Sequence, residues 1–153
     1  MMYDSRMLDA NQIWNGLWQG AMPPPGSLVA SHGFDALVLA AQEHQRPDFY
    51  PDVKVILAPG DDIDQAYALA NFLPTWLRAA SEVATRVKDG QKVLVTCMAG
   101  LNRSGFITTM ALHHLTGWSG ADCVAHVKVH RQLALCNKTF ANYFIDNIKS
   151  REI

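Results

Sequence analysis

The chain is short of several things, and each shortage removes a class of protein. Neither sign of charge dominates: 13 Lys and Arg stand against 14 Asp and Glu, for a net charge of −1. A nucleic-acid-binding protein is expected to carry a basic footprint, so nucleic acid is not favoured as a partner. No apolar run approaches the roughly 20 residues of a membrane-spanning helix, so no membrane role is expected. There are only three Cys and no Cys-x2-Cys pair. An odd count argues against a disulfide framework, and the missing pairs argue against a zinc knuckle. The opening Met1-Met2-Tyr3-Asp4-Ser5-Arg6 lacks the basic-then-apolar layout of a secretory leader. A reducing, cytoplasmic location is therefore expected, which suits a reactive thiol. Internal repeats and low-complexity segments are missing too. The stiff Pro23-Pro24-Pro25-Gly26 stretch reads as a turn, not as a linker between domains. At 153 residues, 49% hydrophobic and 18% charged, the chain is expected to form one globular domain over 1–153, large enough for a core.

What is present is concentrated in Val93-Leu94-Val95-Thr96-Cys97-Met98-Ala99-Gly100-Leu101-Asn102-Arg103-Ser104-Gly105. The run 93–95 follows the turn signal Asp89-Gly90 and reads as a buried strand of a parallel sheet. Beyond Arg103, apolar residues recur at Phe106, Ile107, Met110, Ala111 and Leu115, which is helical spacing, and Gly117 ends it. Cys97 thus stands at the carboxyl end of a strand, in a loop that opens a helix. Open α/β sheets bind ligands at that edge. A helix N-terminus presents unpaired N–H groups and favours anions. The N–H groups from Met98 to Arg103 can form a concave nest for the same charge, with Gly100 permitting the tight turn. The thiolate is the nucleophilic form of Cys. Arg103 is a planar fork that matches two phosphate oxygens, as Lys is not. Met98, Ala99, Gly100, Leu101, Asn102 and Arg103 are therefore the candidate phosphate-binding residues, and Cys97 the candidate nucleophile.

Elsewhere, Ser27 to Ser31 reads as a helical turn, Phe34 to Ala40 as a strand, Gln42 to Asp52 as a loop and Val53 to Ala58 as a strand ended by Pro59-Gly60-Asp61-Asp62. Asp64 reads as an N-cap. A helical face follows through Trp76, Leu77, Ala80, Val83, Ala84 and Val87, with Pro74 expected to break it near Leu73. Ser119 caps a helix expected to reach Leu133, and Asn137 another to Lys149. Strands alternating with helices predict an α/β fold: a central, mostly parallel sheet of about four to five strands with helices on both faces.

The Cys-x5-Arg-Ser loop resembles the signature loop of the cysteine-based protein phosphatases, most of all their dual-specificity branch. The similarity runs from Gln12 to Ile148. Ile13-Trp14-Asn15-Gly16-Leu17-Trp18-Gln19-Gly20 resembles the first two short strands of that family, and Arg131, Asn137 and Phe140 resemble its closing pattern. The resemblance implies a protein tyrosine phosphatase-like fold, no metal and no cofactor. It implies hydrolysis of phosphotyrosine and phosphoserine or phosphothreonine on proteins through a cysteinyl-phosphate intermediate. It also implies an acid on the loop after the preceding strand. Asp61, Asp62 and Asp64 lie there, 36, 35 and 33 residues before Cys97. Asp61, the first carboxylate past the strand, is preferred, and Asp62 stays beside it as the alternative. Ser104 has two readings: a hydroxyl that eases departure of the Cys97 thiolate, or a cap on the following helix. Asn102 either fixes the loop or is a turn residue, and Arg131 either is structural, the preferred reading, or helps hold the loop. One departure stands out. The family carries His before the nucleophile, where it helps hold the loop, and this chain has Thr96.

Other readings remain beside that one. The ending Asn102-Arg103-Ser104-Gly105 resembles RNA 5′-triphosphatases, against which the neutral charge counts. Phosphoinositide phosphatases carry Lys in this loop, and here its variable positions are uncharged. A phosphate-binding module without catalysis is the third. Cys123, His126 and His130 have helical spacing for a metal trio, but no fourth ligand accompanies them. His113 and His114 read as helix surface, and the four Trp as core or partly buried.

Overall fold

The computed structural model describes residues 7–153; the opening Met1 to Arg6 lies outside them. Five strands form one sheet: β1 (Ala10–Trp14), β2 (Leu17–Ala21), β3 (Ala36–Leu39), β4 (Lys54–Leu57) and β5 (Val93–Cys97). Their order across the sheet is β1-β2-β5-β3-β4. Only the β1–β2 hairpin is antiparallel; β2–β5, β5–β3 and β3–β4 run parallel. The two central strands are buried on both faces, as all of β3 and β5 are. Their continuous apolar runs follow from that position. Cys97 therefore ends the middle strand of the sheet, paired across to Ala21.

Side chains alternate along β5. Val93, Val95 and Cys97 join the larger core cluster, and Leu94 joins the smaller one on the other face. The larger cluster is covered by α3 (Leu73–Lys88), α4 (Arg103–Thr116), α5 (Gly120–His130) and α6 (Lys138–Asn147), and it includes Leu69 of the short α2 (Ala66–Leu69). The smaller is covered by α1 (Leu28–Ser31), which supplies Val29, and by a 3-10 turn at Pro47–Phe49. Helical elements lie on both faces, as expected, but the long ones are all on one. The 3-10 turn sits inside the segment read as plain loop.

The helical stretch breaks near Leu73, as expected: α2 ends at Leu69, α3 starts at Leu73, and Pro74 occupies the first turn of α3, where its missing N–H has no intrahelical partner to lose. Other boundaries differ from the sequence reading. The N-cap of α2 is Gln65, not Asp64. Helix α5 stops at His130, before the expected Leu133, because Arg131 leaves helical geometry at φ −140° and ψ 92°. The caps at Ser119, Asn137 and Gly117 are as read: Ser119 accepts from Asp122 N, Asn137 from Thr139 N and Phe140 N, and Gly117 adopts φ 73°.

Trp76 is the largest fully buried side chain. Its ring packs against Phe72, Phe106 and Phe140, and its Nε1 donates to Ala58 O at 3.0 Å, just past β4. A Cβ at Gly60 would overlap that ring. The segment leaving β4 is thus moulded onto α3. We expect Gly60→Ala to cost about 1–3 kcal/mol, the usual range for overpacking a filled core. Urea unfolding followed by tryptophan fluorescence measures it, and an unchanged midpoint would contradict the packing argument.

Candidate active site

Residues 97–104 form a loop between β5 and α4, and its shape follows from where its carbonyls go. Met98 O accepts from Met22 N at 3.1 Å. Ala99 O accepts from Arg131 Nη2 at 3.1 Å. Gly100 O takes two donors, Arg131 Nε at 2.7 Å and Gln19 Nε2 at 2.9 Å. Leu101 O accepts from Leu135 N at 2.9 Å, and Asn102 O from Phe106 N at 2.8 Å. Every carbonyl from Met98 to Asn102 is therefore bonded to a donor outside the loop. In a trans peptide the C=O and the following N–H point opposite ways. Carbonyls turned outward thus leave the N–H groups of residues 99 to 103 facing the inside of the loop. The N-terminus of α4 adds its positive dipole end to the same concavity.

Gly100 makes this possible. It has φ 73°, and a Cβ there would run into the backbone of Gly20 and Ala21 on β2. Both features require glycine. Arg131 is itself held by Asp9 Oδ1 at 3.0 Å and Asn11 Oδ1 at 2.8 Å, from the approach to β1 and from β1 itself. Of the two readings of Arg131, its contacts match the one not preferred: it holds the loop, gripping it from behind.

Cys97 Sγ lies 3.3 Å from Ser104 Oγ, and both are buried. Ser104 falls one residue inside α4, whose N-cap is Asn102, so the hydroxyl faces the sulfur and does not cap the helix. Arg103 is also largely buried. Its Nη1 donates to Glu43 Oε1 at 2.6 Å and Oε2 at 2.8 Å, and to Gly60 O at 3.2 Å. All three contacts use one nitrogen. The Nε and Nη2 edge, the side-on fork suited to two oxygens, has no partner among the described residues.

The two carboxylates after β4 are placed differently. Asp62 Oδ2 accepts from Asn102 Nδ2 at 2.9 Å, and its Oδ1 accepts from Asn137 Nδ2 at 2.8 Å. Asn102 Oδ1 in turn accepts from Asn137 N at 2.8 Å. Asn102 is thus a loop-fixing residue, tied to both. Asp61 is exposed, with one contact from Gln42 Nε2 at 3.3 Å. It directly follows Gly60, whose carbonyl touches Arg103. A groove of about 760 Å³ adjoins the loop, lined by Asp62, Asp64, Asn102 and Lys138 among others. A more apolar cavity of about 490 Å³ lies against Lys92 and Phe34, which precede β5 and β3, at the far end of the strands from Cys97.

Thr96, standing where His was expected, is completely buried. Its hydroxyl donates to Val38 O at 2.7 Å and accepts from Gln45 Nε2 at 2.8 Å. Sequence reasoning missed Glu43, Gln45 and Gln19. Gln19 carried a signal, as an amide inside an otherwise apolar strand; the other two sat in a polar segment where nothing marked them. The Cys123, His126 and His130 trio does not converge on a metal. Cys123 Sγ lies 3.7 Å from Trp118 O, His126 Nε2 bonds Ile13 O at 2.8 Å, and His130 Nδ1 bonds His126 O at 3.0 Å. Burial pushes the Cys123 thiol up to about 11. His113 is not surface: it is buried, with Nδ1 donating to Trp118 O at 2.7 Å and Nε2 accepting from Arg151 Nε at 3.2 Å.

The fold is the one seen in solved structures of cysteine-based phosphatases. The chain is similar to Tk-PTP in its active form, at 23% identity over 92% of this chain and 98% of that one, with a TM-score of 0.70. It is similar to human DUSP28, at 24% identity over 90% of each, with a TM-score of 0.73. It is also similar to PTPMT1 in complex with PI(5)P, at 17% identity over 90% and 97%, with a TM-score of 0.66. No family model matches the sequence, and no curated protein matches it.

Arg131→Met removes four hydrogen bonds, to Ala99 O, Gly100 O, Asp9 and Asn11, while keeping most of the packing. Hydrogen bonds to charged groups contribute about 1.5–3 kcal/mol each. We expect a stability loss of about 3 kcal/mol in urea and a weakened grip on tungstate, a phosphate-shaped oxyanion, in calorimetry. Unchanged tungstate affinity would show that the loop keeps its shape without Arg131.

Proposed function

We propose that the chain, as a single catalytic domain, is a cysteine-dependent phosphatase acting on phosphate monoesters. One observation carries the reading. A buried sulfur sits at the mouth of a loop whose carbonyls all turn outward, and an arginine fork stands beside it. That arrangement favours a tetrahedral dianion more than it favours any neutral ligand.

In the proposed reaction, the loop N–H groups and the Nε–Nη2 edge of Arg103 hold the phosphoryl oxygens. The Cys97 thiolate attacks phosphorus in line, an S–P bond forms and the bond to the leaving oxygen breaks. Asp61 delivers a proton to that oxygen. Water then attacks phosphorus, Asp61 takes its proton, and the S–P bond breaks to release inorganic phosphate. The Ser104 hydroxyl donates to the sulfur as it leaves. Splitting one displacement into two is nucleophilic catalysis. Asp61 is preferred over Asp62 because both Asp62 oxygens already hold amide donors.

The expected substrates are phosphotyrosine and phosphoserine or phosphothreonine on proteins, in a reducing, cytoplasmic setting. Met98, Ala99, Leu101 and Asn102 add no positive charge around the phosphate, and the groove beside the loop carries Asp62 and Asp64 against the one cation Lys138. A polyanionic lipid headgroup or an RNA end gains little from such a rim. Among the described residues, no helix is long and apolar enough to cross a membrane. All three cysteines are free.

Cys97→Ser is expected to abolish turnover of an aryl phosphate, and retained activity would sink the proposal. Arg103→Lys should lower kcat/KM by about 10²–10³, the scale of losing one oxyanion donor. Asp61→Asn should lower kcat by about 10²–10⁴ and flatten the alkaline limb of its pH profile, whereas Asp62→Asn should act mainly through stability. For substrate class, phosphopeptides should be hydrolysed faster than PI(5)P or 5′-triphosphate RNA when offered in parallel to wild type and Cys97→Ser. A faster rate on either of the other two would reassign the substrate.

A further inference from the structure

Gln45 is buried at 3% exposure, yet Gln42, Glu43 and His44 before it and Arg46, Pro47 and Asp48 after it are all exposed. An amide drawn into the core from such a segment needs a reason, because an unsatisfied one costs about 1–3 kcal/mol. Both ends of the Gln45 amide are used. Oε1 accepts from Ala41 N at 2.9 Å, and Nε2 donates to Thr96 Oγ1 at 2.8 Å. The Thr96 hydroxyl passes its own proton to Val38 O at 2.7 Å. The backbone closes the same turn, with His44 N and Gln45 N both donating to Ala41 O.

The turn built this way carries more than Gln45. Gln42 accepts from Gly60 N at 3.0 Å and donates to Asp61 at 3.3 Å. Glu43, two residues before Gln45, holds Arg103. The side chain that anchors the turn reaches the residue directly before Cys97.

We propose that Gln45 is a positioning residue: through the Thr96 hydroxyl it fixes the 41–45 turn to the strand that ends in Cys97, and so sets where Glu43 holds Arg103. Gln45 touches no reacting atom; it acts through Glu43. The Thr96–Gln45 pair gives this chain its own brace between the nucleophile strand and the arginine. The inference rests on the phosphatase reading, since it assigns Arg103 to the phosphate.

The test is a double-mutant cycle read by tungstate calorimetry, aryl phosphate kinetics and melting temperature. Gln45→Leu should weaken tungstate binding about tenfold and lower kcat/KM at least as much. In a Glu43→Gln background the same change should cost less than about twofold, because the carboxylate to be positioned is gone. Thr96→Ser should keep wild-type affinity, and Thr96→Val should copy Gln45→Leu. The double variant Thr96→Val/Gln45→Leu pairs two apolar groups but leaves Ala41 N without its acceptor, so its melting temperature should recover in part while its tungstate affinity stays low. It also serves if Gln45→Leu alone fails to fold. An equal loss in both Glu43 backgrounds, or affinity that recovers with stability, overturns the proposal. A wild-type protein that turns over substrate, beside an indifferent Gln45→Leu, overturns this inference alone. A wild type that neither binds tungstate nor cleaves the ester overturns it together with the phosphatase reading.

Discussion

One carbonyl decides which way the 97–104 loop faces. Gly100 O is held by Gln19 from β2 and by Arg131 from the end of α5, both on the side away from Cys97. Release it, and the peptide can rotate and point an oxygen into the concavity proposed to hold the phosphate. Much of the neighbouring structure serves this bond. Gly100 needs its positive φ and bare Cα to lie against Gly20 and Ala21. Helix α5 ends early so that Arg131 can turn back. Asp9 and Asn11 keep the guanidinium there. The β1–β2 hairpin, remote from the chemistry in sequence, thereby becomes part of the loop's support.

The front of the loop is ordered by a second set of contacts with a different logic. The proposed role of Arg103 requires a guanidinium that is oriented and still available. Glu43 and Gly60 O settle this by taking a single nitrogen, Nη1. The pair is only partly buried, with Glu43 near the surface, so its net contribution to stability is small. Its effect is geometric: the guanidinium plane is fixed with its other edge free. Behind it, Trp76 and Gly60 keep the segment after β4 pressed onto α3, so that the carbonyl reaches Arg103 at all.

The legible part of this arrangement was local. The strand 93–95, the loop, the helix after it and the caps at Ser119 and Asn137 each depend on residues within a few positions, and periodicity and capping chemistry report such things directly. The α/β architecture followed from alternating elements. Glu43, Gln45 and Gln19 were not legible because their partners lie 60, 51 and 81 residues away. A polar residue in a polar segment says nothing of a contact at that distance. Thr96 read as a loss for the same reason. Seen alone it lacks the expected imidazole; seen with Gln45 it is half of a buried pair. Asp64 was misread by one position as the N-cap of α2, which is Gln65, because helix ends are fixed less sharply by local sequence than helix faces are.

The division of labour between Asp61 and Asp62 follows from these contacts. Asp62, Asn102 and Asn137 form a closed triangle that ties the segment after β4, the 97–104 loop and the start of α6 to one another. An acid–base residue gives up a proton and takes one back on every turnover. Were Asp62 that residue, the carboxylate would have to turn toward the leaving oxygen and abandon its amide donors, undoing the triangle each cycle. Asp61 has a single long contact to Gln42, and that amide is itself steadied by Gly60 N. Its carboxylate can move without dismantling anything. Two adjacent, chemically identical residues are thus separated by what holds them: Asp62 is anchored, and Asp61, with one long contact among the described residues, has the mobility that the proposed proton carrier needs.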